Sequence, residues 1–489
     1  MAAPTAAATD LQAEIAWTAP TRAAVWGGAL EFAPREGALL ALVRRSSGAT
    51  RATFLVQKAI TPERGDLEHD KWGNVSLTAK YWNRAVDIAR RQDGLVGLCV
   101  LHTHPGGSGP PVWSVTDDST DKDLGECFLG VGLLPPGAPL LSLVASRGAL
   151  RGRAIRWSQV DGKSVFDPIH RVRTIAADAF EAQRTIDHPR AEGEDVPEFA
   201  DRSIRVFGRE GQRQLADLHI VVAGNGGVGS IVADHIARWG VGAVSLWDPD
   251  VITDVNINRS SVYTFDDARA RRHKAPVLAA ALRTFALQRD IRVRHSDRDL
   301  RRSSELPRLL DADIILSLVD DPRPRHFLNR LSYAHFIPVI DGGSVIASTA
   351  EDDPHCEHGV VENGAVRINT VGPGHACLWC SGHLDSMKLS KAFRTVEDRA
   401  ADRHRGYVEG LGPEHAPSVM PMNSLTSALV ELRLQDLIFI LSRRAVTELY
   451  YDMIPGTLAE VPRHRDPRCR HCNPFEGQGD NADMPFADL

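Results

Sequence analysis

The sequence lacks several features that mark whole classes of protein. No apolar run approaches the ~20 residues needed to span a bilayer. The opening residues MAAPTAAATD have neither the basic start nor the apolar core of a secretion signal. The net charge of −6 is mild, so nothing indicates a nucleic-acid footprint. We therefore expect a cytoplasmic protein that binds neither membrane nor nucleic acid.

Cysteine is scarce and unevenly placed. Seven cysteines is an odd count, which does not suit a disulfide framework. Four of them form the pairs CLWC and CRHC, and two such pairs present four thiolates in the tetrahedral arrangement that structural zinc prefers. His375 and His471 are close enough to be alternative ligands, and two unrelated cysteine pairs are the other interpretation. Because four thiolates fill a zinc shell, we predict a structural zinc held by Cys377, Cys380, Cys469 and Cys472.

Length and composition indicate more than one domain. At about 150 residues per domain, 489 residues suggest two to four. Residues 166–200 are richer in charged and small residues. Part of this stretch, 168–185, can form a helix, and the Pro- and Glu-rich remainder is typical of a linker. We predict two α/β units, 1–165 and 201–489, joined by a linker at 166–200.

The second unit is organised around a Gly-rich stretch between two apolar runs. Ile220–Ala223 enters the sequence GNGGVG, a helical pattern follows, and Ala243–Trp247 leads to Asp248. This is a strand–helix–strand pattern, whose glycines let the backbone approach a phosphate at a helix N-terminus. Asp248 stands where a ribose-binding carboxylate is expected. The glycines of this predicted Rossmann-like site are Gly224, Gly226, Gly227 and Gly229.

Polar residues after this stretch favour triphosphate chemistry over hydride transfer. Asn256, Asn258, Arg259 and Lys274 place two amides and two cations beside a phosphate site. Cations stabilise the charge that builds on a transferring phosphate and its leaving group. An NAD-dependent oxidoreductase is the alternative, but it would leave these cations and the cysteine pairs unexplained.

Two aspartates follow the next apolar run. Asp320 and Asp321 come directly after Ile314–Val319, where the carboxyl edge of an α/β sheet binds ligands. A carboxylate at this edge can hold Mg²⁺ against phosphate oxygens.

These residues together resemble the ThiF/MoeB and ubiquitin-activating enzyme superfamily, which adenylates the C-terminal glycine of ubiquitin-like proteins. The resemblance implies that Asp248 binds the ribose of ATP and that Asn256, Arg259 and Lys274 contact its phosphates. It also implies that Asp320 is the Mg²⁺-associated aspartate.

The resemblance extends on both sides of the nucleotide motifs. The stretch DRSIRVFGREGQRQL resembles the family's opening segment, and its Arg202 matches an arginine that reaches into the partner subunit's site, which implies a homodimer. Arg325 matches a recurring arginine, whereas Asp321 stands where Asn is commoner. Many family members also carry the four-cysteine zinc.

The family's crossover loop often holds a cysteine that receives the ubiquitin-like protein as a thioester. The interval between Cys380 and Cys469 contains no cysteine, which excludes a thioester there. The adenylate then passes directly to a conjugating enzyme's cysteine or to a sulfur donor, unless Cys356 serves. Cys99 and Cys127 are expected to be core thiols.

The first unit carries a second cluster of candidate ligands. The strand Leu95–Leu101 runs into HTHPGGSGPPVWSVTDD. Strand alternation puts His102 and His104 on one face with Thr103 opposite, and two imidazoles so placed can hold one metal. Asp117, at the start of a predicted helix, is a third candidate ligand.

This pattern resembles the JAMM/MPN metalloprotease family, whose signature is a Glu, then His-x-His-Pro, then Ser-x-x-Asp. The resemblance implies a catalytic zinc on two histidines and Asp117, with Glu36 taking the proton of the attacking water and Ser114 donating to the oxyanion. Glu31 is the weaker candidate for the glutamate. Eight residues separate Pro105 from Ser114 where six are usual, so this loop must bulge. The alternatives are a paired strand motif and a simple helix cap formed by Ser114.

Both chemistries act at the C-terminus of a ubiquitin-like tail. The leading hypothesis is a bacterial fused enzyme of a ubiquitin-like modification system, resembling those of defence-type gene clusters. It would trim or deconjugate the partner with its zinc site and adenylate the partner with Mg·ATP. One alternative is activation of a sulfur carrier for cofactor or metabolite biosynthesis. The other is a regulatory scaffold with inactive sites.

Overall fold

Two eight-stranded sheets carry most of the chain, one on each side of residue 200. The computed structural model describes residues 11–104, 110–189, 198–285, 291–349, 358–393, 417–441 and 446–488. None of the helices in these ranges has the length and apolar character that crossing a membrane requires.

The first sheet curls into a barrel. Its order is β1-β3-β2-β6-β7-β8-β9-β10, and β1 pairs with both β3 and β9, so the sheet closes on itself. Strands β4 and β5 form a separate hairpin. The strands are β1 Gln12–Thr18, β2 Ala38–Ser47, β3 Arg51–Ile60, β4 Leu67–His69, β5 Val75–Leu77, β6 Gly97–Thr103, β7 Leu140–Ala145, β8 Leu150–Ser158, β9 Lys163–Ile175 and β10 Phe180–Arg184. The helices are α1 Ala79–Arg90 and α2 Val115–Gly125, with short turns at Ala19–Arg22, Ala23–Gly27, Gly28–Leu30 and Glu126–Gly130.

The continuous apolar run of β2 is explained by burial on both faces. Leu39 and Val43 pack inside the barrel with Trp17. Leu40 faces the other way, against Tyr81 of α1, whose hydroxyl accepts from the Leu40 N–H at 3.0 Å. A strand covered on both sides needs apolar residues at every position.

The structure corrects the prediction for the first part of residues 166–200. The helix predicted at 168–185 is wrong, because β9 and β10 occupy this stretch and pair with each other in the first sheet. Residues 190–197 of the predicted linker lie outside the described residues. The charged composition misled because Arg171 and Arg173, which suggest exposed positions, are buried.

The second sheet has the order β13-β12-β11-β14-β15-β16-β17-β18. Its first five strands are parallel and the last three pairings are antiparallel. The strands are β11 His219–Ala223, β12 Ala243–Trp247, β13 Arg292–Ser296, β14 Ile314–Ser317, β15 Val339–Ser348, β16 Val361–Val371, β17 Glu448–Asp452 and β18 Thr457–Val461. The longer helices are α3 Asp201–Asp217, α4 Gly227–Arg238, α5 Lys274–Phe285, α6 Pro322–His335, α7 Ser386–Phe393 and α8 Met420–Phe439. Short helical turns occur at Glu198–Ala200, Asp254–Ile257, Phe265–Arg269, Ser303–Glu305, Leu306–Leu309, Asn473–Phe475 and Gly479–Asn481.

The barrel packs on the amino edge of the parallel strands. Asp313, just before β14, is fully buried and accepts from Arg51 at 2.9 Å and from Arg171 at 2.5 Å. Glu14 of β1 accepts from Arg171 at 3.0 Å and lies 3.6 Å from Arg173. The opposite, carboxyl edge of the parallel strands remains for the nucleotide motifs.

Candidate functional site

The nucleotide motifs meet at the carboxyl edge of three adjacent parallel strands. The Gly-rich loop follows β11, Asp248 follows β12 directly, and Asp320 follows β14 by three residues. The strand order runs from β11 to β12 on one side and to β14 on the other. Such a reversal of strand order opens the crevice in which α/β sheets bind ligands.

The Gly-rich loop turns sharply, and Gly224, Gly227 and Gly229 leave no room for a side chain. Gly224 has φ +88, and a Cβ there would lie 2.4 Å from the carbonyl oxygen of Leu318. Gly227 is the first residue of α4, so its N–H belongs to the free end of that helix. Free N–H groups and the helix dipole favour an anion at this point.

Asp248 is buried beside this loop. Its Oδ2 accepts from the Asn225 N–H at 2.6 Å, and its Oδ1 accepts from the Asp250 N–H at 2.9 Å. Burial raises the pKa of Asp248, while the charge of Lys274 acts in the opposite direction. Asp248 therefore holds the loop conformation in addition to its predicted contact with ribose.

Lys274 begins α5 and is buried, with its Nζ donating to Asp250 at 2.7 Å. Asn256 caps a short helix, because its Oδ1 accepts from the Thr253 N–H at 2.9 Å. Arg259 follows that helix and is half-buried. These side chains lie on the segment after β12, and their contacts with a nucleotide stay predictions.

The two aspartates after β14 differ in their surroundings. Asp320 is exposed, as a metal-binding carboxylate at an open edge can be. Asp321 is the N-cap of α6 and accepts from the Arg323 N–H at 2.8 Å. Arg325 donates to the Val319 carbonyl at 2.8 Å and lies 3.5 Å from the buried Asp341. The structure thus leaves Asp320 as the candidate for Mg²⁺.

Arg202 lies exposed in the first turn of α3, whose helix is kinked at Gly208 with φ +73. Its predicted reach into a partner subunit stays a prediction.

The two histidines of the first unit lie together, as predicted. The His102 and His104 rings are 5.1 Å apart, while Thr103 points away and accepts from the Gly37 N–H at 2.9 Å. Nε2 of His102 lies 3.2 Å from Asp117, and Nε2 of His104 lies 3.9 Å from Asp117. One ligand atom from each of these three side chains falls within 4.8 Å of the others. Nε2 of His102 is buried and faces the Asp117 carboxylate, an arrangement that fits two ligands of one metal.

Glu36 lies on the other side of His104, at 3.8 Å from its Nε2. The β4–β5 hairpin holds this glutamate in two ways. The Val75 N–H donates to Glu36 Oε2 at 3.2 Å, and Nε2 of His69 lies 2.7 Å from the Glu36 carbonyl oxygen. Glu31, the weaker candidate, is exposed at the end of a short helix.

Ser114 is the N-cap of α2. Its Oγ accepts from the Asp117 N–H at 3.1 Å, and Asp117 Oδ2 accepts from the Ser114 N–H at 2.7 Å. The helix cap suggested as an alternative is therefore present, and the same aspartate also faces the histidines. Pro105 and residues 106–109 of the predicted bulge lie outside the described residues.

The four predicted zinc thiolates come together from two distant parts of the chain. The Cys377 sulfur lies 3.4 Å from that of Cys380 and 3.7 Å from that of Cys469, and the Cys380 and Cys472 sulfurs are 4.0 Å apart. Thiolates on one zinc with bonds of ~2.3 Å have such separations. His471 instead stacks on Trp379 at 3.8 Å.

The remaining cysteines follow the predictions in part. Cys99 is buried, as expected for a core thiol, but Cys127 is exposed, so that prediction is wrong. Cys127 lies in the π-helical turn Glu126–Gly130 after α2, in which the buried side chain is that of Phe128. Cys356 lies outside the described residues.

Sequence patterns gave no signal for several residues around the two sites. Tyr263 donates from its hydroxyl to the Asn225 carbonyl at 2.6 Å and braces the Gly-rich loop. His69 and Val75 support Glu36 from a hairpin with two strands of three residues each. A lone tyrosine and such short strands carry no periodicity, so only the structure identifies them.

Comparison with known proteins finds relatives of the second unit. The profile of the ThiF family matches residues 200–399. The chain is similar to the sulfur carrier protein ThiS adenylyltransferase of Bacillus subtilis, at 30% identity over 139 residues, which are 28% of this chain and 41% of that enzyme. It is also similar to the SAMP-activating enzyme E1 of Haloferax volcanii, at 25% identity over 54% of this chain and 84% of that enzyme.

Among solved structures, E. coli MccB aligns at 17% identity with a TM-score of 0.42, covering 58% of this chain and 74% of MccB. The chain thus spans about two fifths of the B. subtilis relative and most of the H. volcanii relative. Residues 200–399 form a ThiF-family domain.

Proposed function

We propose that the chain is a bifunctional enzyme that acts on the C-terminal tail of a ubiquitin-like protein. Its ThiF-family unit adenylates that tail with Mg·ATP, and its barrel unit hydrolyses the bond after the terminal glycine. The observation that carries the first activity is the junction of the Gly227 helix terminus, Asp248 and Lys274 at one sheet edge.

In the adenylation step, a carboxylate oxygen of the tail bonds to the α-phosphorus of ATP. The bond from that phosphorus to its bridging oxygen breaks, and pyrophosphate leaves with the bonding electrons. The N–H of Gly227 and the cations of Lys274 and Arg259 stabilise the negative charge on the phosphates. Asp320 would hold Mg²⁺, which neutralises charge on the leaving group.

The hydrolytic activity is supported by a different set of contacts. His102, His104 and Asp117 would hold zinc in a three-ligand site, where the metal polarises water and carbonyl groups. Glu36, held by the β4–β5 hairpin, is placed to accept a proton beside His104. Ser114 uses its oxygen as an acceptor in the helix cap, so its hydroxyl proton is free to donate to an oxyanion.

The interval between Cys380 and Cys469 contains no cysteine that could accept the tail as a thioester. The adenylate is then passed to a conjugating enzyme's cysteine or to a sulfur donor, with Cys356 as the alternative within the chain. The sulfur-carrier alternative is favoured by similarity to a ThiS adenylyltransferase, and both acceptors need the same first step.

The deciding experiment is intact-mass analysis of a ubiquitin-like protein that carries extra residues after its terminal glycine. It is incubated with the full chain, Zn²⁺ and Mg·ATP. We expect loss of the extension and a gain matching AMP. Glu36→Gln should prevent the trimming, and with it the adenylation of the extended partner, but should still adenylate a partner trimmed beforehand. Asp320→Asn should prevent only the adenylation.

The two variants control for each other, because each site is altered without touching the second one. Trimming without adenylation would contradict the activating function. Adenylation of a pre-trimmed partner without trimming would contradict the protease function. If neither change occurs with sulfur-carrier or ubiquitin-like partners, the regulatory scaffold is favoured.

A further inference from the structure

Two helices begin beside the Gly-rich loop. The first is α4, which starts at Gly227, and the second is α8, which starts at Met420 and packs along α4. Gly227 contacts the first turn of α8 through the side chain of Asn423. The phosphate end of α4 is therefore bordered by a polar group from a distant part of the chain.

Asn423 is buried, at 3% exposure, and its amide is oriented by a neighbour. Ser418 Oγ donates to Asn423 Oδ1 at 3.2 Å. This contact leaves Nδ2 facing the Gly-rich loop, 2.2 Å from the point where a Cβ on Gly227 would lie. The absence of a side chain at Gly227 provides the space for this amide.

The Asn423 Nδ2 has no hydrogen-bond partner among the residues that the structure describes. A buried donor without an acceptor is costly, so native proteins rarely keep one without a purpose. The neighbouring hydroxyl groups on α8 do have acceptors. Ser427 Oγ donates to the Asn423 carbonyl at 2.8 Å, and Thr426 Oγ1 donates to the Met422 carbonyl at 2.7 Å. A ligand at the α4 terminus can supply the acceptor that Asn423 Nδ2 lacks among the described residues.

We propose that Asn423 donates a hydrogen bond to a phosphate oxygen of the nucleotide bound at Gly227. This inference rests on the proposed ATP-binding function and extends it to a residue of α8. Asn423 complements the N–H groups of α4 with a neutral donor. It also links nucleotide binding, through Ser418, to the segment that leads into α8.

The test compares Mg·ATP and adenosine binding by calorimetry on the full chain. Asn423→Leu keeps the shape but removes the donor, and Asn423→Asp replaces the donor with a negative acceptor. We expect the Leu variant to weaken Mg·ATP binding about tenfold, the Asp variant to weaken it further, and neither to change adenosine binding. Ser427→Ala, one turn further along α8, is the matched control and should bind both ligands as the wild type does.

Equal weakening of Mg·ATP and adenosine would overturn the inference, because it would show a structural role for Asn423. So would unchanged Mg·ATP binding in both variants. If circular dichroism shows that the Leu variant is unfolded, Asn423→Ser removes the reach of the amide without adding an apolar group and gives the same readout. The wild-type measurement separates the two proposals, since a chain that binds no Mg·ATP contradicts the proposed function itself.

Discussion

Lys274 is a buried cation whose Nζ contacts an exposed carboxylate. Its partner Asp250 has a side chain that is 66% exposed, whereas that of Lys274 is 10% exposed. We expect Lys274→Ala to lower the rate of adenylation by roughly 10²–10³-fold, because it removes a fixed positive charge from the phosphate site. ATP–pyrophosphate exchange measures this rate directly.

The matched control is Asp250→Ala, which leaves the cation in place but removes its partner. Its exchange rate should fall much less than that of Lys274→Ala. An equal loss in both variants would mean that Lys274 acts by holding the loop rather than by stabilising charge on the phosphates.

At the residue scale, the sequence predicts metal-ligand residues well, because ligand chemistry requires them at short and recognisable intervals. The two histidines, Asp117 and the four cysteines have ligand chemistry that repeats at fixed intervals, and the structure brings each set together. Asn423 and Tyr263 were missed because their positions depend on tertiary packing. Cys127 was placed in the core wrongly, because the turn after α2 buries the neighbouring Phe128 instead.

The cysteine cluster ties the C-terminal segment to the loop after β16. Two cysteines precede α7 and two follow β18, so a zinc there joins segments about 90 residues apart in sequence. We expect metal analysis to find a zinc in the cysteine cluster and another in the histidine site. Cys380→Ser should remove the first and lower the midpoint of thermal unfolding by on the order of 10 °C, because structural zinc contributes folding free energy.

His104→Ala provides the comparison, since it should lose the other zinc with little change in the midpoint. A three-ligand site with an open position contributes less to folding than a closed cluster. Equal thermal losses in the two variants would contradict the structural assignment of the cysteine cluster.

The contact between α4 and α8 contains a largely buried carboxyl group, that of Glu431. His235 Nδ1 lies 2.7 Å from Glu431, and burial raises the pKa of Glu431 to about 7. The folded pKa of Glu431 lies above the unfolded value of 4.5. The contribution of this carboxyl group to the free energy of unfolding is therefore full below about pH 4.5 and is lost as the pH rises through about 7. Glu431→Gln should therefore unfold at a higher temperature than the wild type at pH 8 and at the same temperature at pH 4.5.

Thermal unfolding followed by circular dichroism at both pH values checks this. His235→Gln serves as the control, because it removes the partner but leaves the buried carboxyl group. A Glu431→Gln variant that is less stable than the wild type at pH 8 would show that the ionised pair stabilises the contact.

At the element scale, apolar runs located the strands that lead into the two sites, namely β6, β11, β12 and β14. They failed at 168–185, where β9 alternates arginines with apolar residues. Charged residues in a sequence are expected both in an exposed linker and in a strand whose charges are buried in ion pairs, so composition alone does not distinguish the two. Only the carboxylates of β1 and of the segment before β14, which are distant in sequence, distinguish them.

The two units share one packed interface. Apolar residues of the barrel, including Leu55 and Phe180, belong to the same buried cluster as the core of the ThiF-family domain. At the rim, Ser47 donates to Asp480 at 2.6 Å, and Asn481 accepts from the Leu95 N–H at 2.8 Å. We therefore expect the two sites to keep a fixed separation.

Replacing Asp313 tests whether the two units unfold together. It is fully buried at the junction, where it pairs with Arg51 and Arg171 and lowers the net charge of three buried arginines. Asp313→Ala would leave uncompensated positive charge in the interface and should cost about 3–5 kcal/mol of stability. Because Asp313 belongs to the second unit and the arginines to the first, calorimetry should show a single unfolding transition for the wild type and a single transition at a lower temperature for the variant.

Asp480→Ala, which removes an exposed pair at the same interface, should change stability by less than about 1 kcal/mol. Two separate transitions in the wild type, with only the second shifted in Asp313→Ala, would contradict the coupling and leave the barrel and the ThiF-family domain as independently folding units.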